Sequence, residues 1–171
     1  IGDIGCFSFY ANKIITTGEG GMVVTNDSKL AERARRLRDQ GYSIKLRKWL
    51  IHDMLGYNYR MTNMQAAIGL AQLERVDEFV QRRRDNAYYY NSLLKNVDGI
   101  TLPPEAEWAK NVYWMYTILV DKDVFGINRD ELMRKLEMYG VDTRAVFWPI
   151  HLQLPYKSNH GSENYPVAEN L

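Results

Sequence analysis

At 171 residues, with 46% hydrophobic and 25% charged side chains, the chain has the length of one domain or two small ones and the composition of a globular protein that can bury a sizeable core. A net charge of +1 removes any case for nucleic-acid binding through bulk electrostatics. The single cysteine, Cys6, rules out an intrachain disulfide and a cysteine-rich metal site and fits a reducing, cytoplasmic setting, while no apolar run approaches the roughly 18 residues that span a membrane.

In chain order, two short apolar runs, residues 4–10 and 22–25, read as strands bounded by glycines and by the Asn26–Asp27 turn pair. Ser28 reads as the N-cap of a helix through Gln40, stopped by Gly41. Its apolar face is Leu30, Ala34 and Leu37, and Arg33, Arg35, Arg36 and Arg38 form a solvated basic face. Residues 42–60 show no clean period and read as a long loop, a feature that in compact domains is usually functional or mobile.

Thr62 followed by Gln65 is a capping box. The helix it opens carries Ala66, Gly69, Leu70, Leu73, Val76 and Val80 on one stripe. Helical character continues to about Asn96, a length that calls for a bend, and a domain boundary is expected near 80–85, giving domains 1–82 and 83–171. Residues 99–104 then read as a short strand and turn, and 114–120 as a strand rich in aromatic and β-branched residues. Asn128 with Glu131 caps a helix to Tyr139, stopped by Gly140; residues 141–143 read as a strand leading into an aromatic, proline-containing loop to Tyr156. The chain opens at Ile1 inside a strand-like run and closes as YPVAENL begins another helical pattern, so it is expected to be a piece of a longer protein.

Lys13 stands out chemically. A lysine at a strand edge ordinarily packs its stem and leaves its head in water, but desolvation there frees the amine as a nucleophile. Ser8 before it and TTGEGG (residues 16–21) after it place hydroxyls and exposed backbone N–H groups nearby, which suits a phosphate-bearing ligand. The glycines match neither the nucleotide P-loop nor the dinucleotide fingerprint. His52 and His160 have no carboxylate or cysteine cluster at ligand spacing, so no metal is expected.

Three blocks carry a family resemblance. GDIGCFSFYANKIITTGEGGMVV (residues 2–24), GYNYRMTNMQAAIGLAQLERV (56–76) and DTRAVFWPIHLQLPY (142–156) together resemble the nucleotide-sugar aminotransferases, pyridoxal-phosphate (PLP) enzymes of fold type I. The resemblance implies an α/β fold: the end of the large-domain mixed sheet, a long connecting helix and a small α+β domain incomplete at its end. It implies transfer of an amino group, with glutamate as donor, to a keto sugar nucleotide such as GDP-4-keto-6-deoxymannose. Lys13 falls where the family's lysine binds PLP covalently and then moves the proton. Ser8 falls at the phosphate-binding hydroxyl, and Asn58 at an asparagine that reaches the phosphate of the neighbouring subunit's PLP, which implies a homodimer with shared sites. Arg60 lies near the sugar-nucleotide entrance, Arg144 is a candidate diphosphate contact, and His151 sits on the sugar-facing loop. The aspartate that pairs with the pyridine nitrogen falls before Ile1 in the family pattern, so residues 1–171 alone are expected to be inactive. The alternative is a non-catalytic regulatory or binding protein of the same fold.

Overall fold

The structure is a computed structural model and describes residues 2–46, 50–160 and 163–170, with backbone only at 158–160. It divides into two compact units, Ile1–Arg82 and Arg83–Leu171.

In the first unit, β1 (Gly5–Ser8) and β2 (Gly21–Val24) form an antiparallel pair with Gly5 opposite Val24 and Ser8 opposite Gly21. The first strand is shorter than the apolar run predicts because Phe9 turns its carbonyl inward. That carbonyl accepts from the Thr17 amide at 2.9 Å and from the Thr16 hydroxyl at 3.0 Å. The strands are therefore joined by a wide turn carrying Lys13 rather than by a tight hairpin.

Helix α1 (Ser28–Arg38) is capped by Asp27, not by Ser28. Asp27 keeps extended backbone angles and its carboxylate accepts from the amides of Lys29 (2.7 Å) and Leu30 (3.1 Å), so Ser28 is already helical. The helix also ends earlier than predicted. Gln40 (φ 62) and Gly41 (φ 71) both turn left-handed, and a side chain on Gly41 would meet the Met54 carbonyl at 2.0 Å.

The described residues 42–46 and 50–60 carry several ties to the end of α1. The Tyr57 amide donates to the Leu37 carbonyl (2.6 Å) and the Tyr59 amide to the Arg38 carbonyl (3.0 Å), satisfying carbonyls that the end of α1 leaves unpaired. His52 Nδ1 lies 2.8 Å from the Gln40 carbonyl and its ring stacks on Tyr42. A segment bonded to a helix end has no reason to show a strand or helix period. The predicted long helix is two: α2 (Asn63–Leu73), opened by the Thr62–Gln65 capping box, and α3 (Val76–Leu94). The break falls at Glu74 and Arg75, upstream of residues 80–85; the Arg75 amide bonds three residues back, to Gln72.

In the second unit, β3 (Ile100–Thr101) pairs antiparallel with β4 (Leu119–Val120). Of the predicted strand 114–120 only this end forms, because Ile100 and Thr101 are the residues opposite it. Residues 141–143, predicted as a strand, have no ladder partner and are irregular. Helices α4 (Lys122–Phe125), α5 (Arg129–Met138), α6 (Leu154–His160) and α7 (Pro166–Glu169) complete the unit, with a 3₁₀ turn at Ile150–Leu152. The Asn128–Glu131 capping box starts α5, and Gly140 (φ 78) follows its end.

A polar latch joins α3 to residues 105–113. The Arg84 guanidinium pairs with Glu105 and donates to the Asn111 carbonyl, both at 2.5 Å, and also contacts the Tyr88 hydroxyl. The Tyr113 hydroxyl reaches Glu105 at 3.3 Å. Arg84, and then the Asn111 amide, hold the Glu105 carboxyl below the usual carboxylate range, while burial pushes the Tyr113 hydroxyl up. Among the described residues, the buried hydrophobic side chains are Ala87 and Tyr113, and Phe7, Leu55 and Met64 are exposed. The sizeable core expected from composition is not formed among the described residues. No described helix is long and apolar enough to cross a membrane.

Candidate active site

Ser8 closes β1, and Lys13 lies in the wide turn that follows. The Tyr10 amide donates to Ser8 Oγ at 3.3 Å, so the hydroxyl proton remains to be given to an acceptor such as a phosphate. The Lys13 amide donates to the Tyr10 carbonyl at 3.0 Å, closing a small turn, and its side chain is half-buried.

The turn beyond Lys13 is fastened chiefly at Thr16, Thr17 and Glu19. The Thr16 hydroxyl bridges the Phe9 carbonyl and the Gly18 amide, and the buried Thr17 hydroxyl donates to the Glu19 carbonyl at 2.8 Å. A side chain at Gly20 would come within 2.4 Å of Thr17 Oγ1, so the path of the backbone depends on its absence. Helix α2 holds the same turn from outside. Gln72 Oε1 accepts from the Thr16 amide (3.1 Å) and its Nε2 donates to the Thr16 carbonyl (2.6 Å), while Gln65 Nε2 donates to the Glu19 carbonyl (3.1 Å). Gln72 carried no signal in the sequence, since its partner lies 56 residues away. Gln65 was legible only as half of a capping box.

Asn58 and Arg60 come together on the strand-like return to α1. Arg60 Nε donates to Asn58 Oδ1 at 2.9 Å, and a second guanidinium nitrogen lies 3.4 Å from Asp39 Oδ1. Arginine has no acceptor, so the Asn58 atom facing it must be the oxygen. The amide's Nδ2 therefore points elsewhere as a donor. Asp39, whose side chain is 12% exposed, was read only as part of a helix end.

The other two candidates belong to the second unit. Arg144 is exposed and pairs with Asp142 at 3.1 Å. His151 is buried; its Nε2 lies 2.9 Å from Glu169 Oε1, and its ring packs on Tyr165. That nitrogen is paired within the chain, and the ring packs the 3₁₀ turn against Tyr165. Glu169, missed in the sequence, also accepts from the Tyr165 amide at 2.9 Å; this bond, followed by His151, holds its carboxyl below the usual range. Among the described residues no cluster of His, Cys, Asp and Glu has metal-binding geometry.

The residues of the first unit fit a phosphorylated aldehyde such as PLP in their chemistry: Lys13 offers an amine and Ser8 a hydroxyl proton beside a glycine-dependent turn, while Asn58, on the return to α1, offers amide protons. Comparison with known proteins agrees. The chain is 44% identical over 170 residues to the GDP-perosamine synthase of Caulobacter vibrioides and 43% identical over 171 residues to that of Escherichia coli O157:H7. Each alignment covers 99% of this chain but only 45% and 44% of the relative, so the chain spans less than half the length of these curated relatives. The solved aminotransferase TlmJ from Streptoalloteichus hindustanus superposes with a TM-score of 0.84 at 35% identity, covering 99% of this chain and 44% of that one. The fold is accordingly α/β and corresponds to part of a fold type I, PLP-dependent sugar aminotransferase. With a family model matching residues 1–171 throughout and these identities beside it, the chain belongs to the DegT/DnrJ/EryC1/StrS aminotransferase family.

Proposed function

We propose that the complete protein carrying this chain is a PLP-dependent aminotransferase that transfers an amino group, with glutamate as donor, to a keto sugar nucleotide such as GDP-4-keto-6-deoxymannose, in surface-polysaccharide or deoxyaminosugar biosynthesis. The observation that carries the reading is Lys13 in a turn bonded on both sides, between a serine with a free proton and a glycine-dependent return.

When bound, PLP supplies an aldehyde for covalent attachment and an electron sink. The work of this chain's residues is positional and acid–base. Lys13 Nζ would hold the cofactor and would take and return a proton, work that one amine does as both base and acid. Ser8 Oγ and Asn58 Nδ2 would donate to the phosphate. In this reading two copies share their sites, Asn58 of one serving the other, and the protein works in the cytoplasm. Arg144 serves the diphosphate, for which guanidinium offers paired hydrogen bonds; Arg60 serves the sugar-nucleotide entrance. His151 serves the sugar side by holding its turn against Glu169.

Borohydride reduction of the purified complete protein with PLP should fix the cofactor on the peptide containing Lys13, read by mass spectrometry. Lys13→Ala should lose that label and about a thousandfold or more in turnover. Labelling at another lysine, or a Lys13→Ala protein that still turns over the keto sugar nucleotide, would end this reading.

A further inference from the structure

We infer that Gln72 is a positioning residue for Lys13, acting through the backbone of Thr16; the inference rests on the reading of Lys13 as the cofactor-bearing amine. Its side-chain amide engages both backbone groups of Thr16, accepting from the amide at 3.1 Å and donating to the carbonyl at 2.6 Å. This is the bonding that a neighbouring strand would give a residue in an antiparallel ladder, supplied here by one side chain. The remaining polar atom of Thr16, its hydroxyl, is occupied by Phe9 and Gly18. Lys13 is thus held at its own amide by Tyr10 and, three residues on, by a threonine with every polar atom bonded.

The fit is built into α2. Gln65, Gly69 and Gln72 fall on one face at helical spacing. Gln65 holds the Glu19 carbonyl, and a side chain at Gly69 would meet Thr17 Cγ2 at 2.9 Å. The missing side chain lets the helix approach closely enough for both glutamines to reach. An amide suits the task because it carries no net charge: a carboxylate or ammonium in its place would act on the lysine's proton affinity as well as its position.

The test uses the complete protein as wild type, Gln72→Leu and Gln72→Glu. Hydrogen exchange across residues 9–20, measured without cofactor or substrate, reads the clamp itself. Borohydride-fixable attachment of PLP at Lys13 and steady-state kinetics read its consequence. In Gln72→Leu, exchange at Thr16 should rise and kcat should fall, each by about tenfold or more, with KM for the sugar nucleotide within about twofold of wild type. Gln72→Glu keeps the acceptor but loses the donor, so exchange at Thr16 should rise in it too; should the leucine variant fail to fold, that exchange decides alone. Wild-type exchange and kcat in a folded variant would overturn the clamp, as would a kcat loss that only parallels a fall in melting temperature. Absence of PLP on Lys13 in the wild type would overturn the reading of the lysine and the inference with it. Labelled wild type beside an unchanged Gln72 variant would overturn the inference alone.

Discussion

Two irregular stretches, residues 9–20 in the first unit and residues 105–113 in the second, are each pinned by side chains from a helix, but with different chemistry. The turn carrying Lys13 is held by neutral groups: the amides of Gln65 and Gln72 and the hydroxyls of Thr16 and Thr17. Residues 105–113 are held by an ion pair, Arg84 to Glu105, reinforced by Asn111 and Tyr113. The same second unit uses a carboxylate again where Glu169 meets His151. Neutral clamps are insensitive to pH and salt and leave the field around an amine alone. Charged latches hold long side chains firmly when partly buried, but they depend on protonation.

The largest effect should come from cutting the ionic latch. Arg84→Met leaves Glu105, 22% exposed, without its cation and removes the bond to the Asn111 carbonyl. Exchange across 105–113 should rise sharply and the melting temperature fall, while exchange across 9–20 stays at the wild-type level. If both stretches loosen together, the two do not behave as separate units.

Acid should draw the same contrast more gently. The carboxyls of Glu105 and Glu169 are held below their ordinary value, so the stability they contribute is complete above the ordinary carboxylate range, about pH 4.3, and is lost as pH falls through their lowered values. Exchange normalised for its intrinsic pH dependence should therefore increase around 105–113, 150–152 and 165–169 below about pH 4. The 9–20 turn should not follow. Equal loosening of both would show that charge, not amide bonding, holds the Lys13 turn.

The smallest effect is expected at the start of α2. Thr62→Ala removes half of the capping box while leaving Gln65 its bond to Glu19. Denaturant unfolding should register about 1 kcal/mol, with kcat near wild type. A larger loss of activity than of stability would mean that the cap also sets the reach of Gln65.

Local chemistry was readable from sequence wherever the relevant partners are neighbours. The Thr62–Gln65 and Asn128–Glu131 boxes and the glycine after α5 depend on residues three or four apart, so spacing alone identified them. The N-cap of α1 was displaced by one residue because Asp27 and Ser28 are both competent caps and only the backbone angles of Asp27 choose between them. Strand lengths were overestimated at 4–10 and 114–120 because a strand ends where its ladder partner ends, which β-propensity does not record.

Lys13, Ser8 and the glycine return could be singled out from the order of residues, since reactive groups and permissive backbone declare themselves by type, whereas Asn58 and Arg60 were reached only through the family resemblance. What the tertiary structure alone decided is how they are held. Gln72 reaches Thr16, Arg60 fixes the direction of the Asn58 amide, and Glu169 takes the nitrogen of His151. The contacts of Gln72 and Glu169 span 56 and 18 residues, and Arg60 turns Asn58 through the geometry of a return that pairs with α1. A side-chain amide or carboxylate looks the same in sequence whether it faces water or a backbone group. Folding settles which, because a polar group drawn out of water must find a partner.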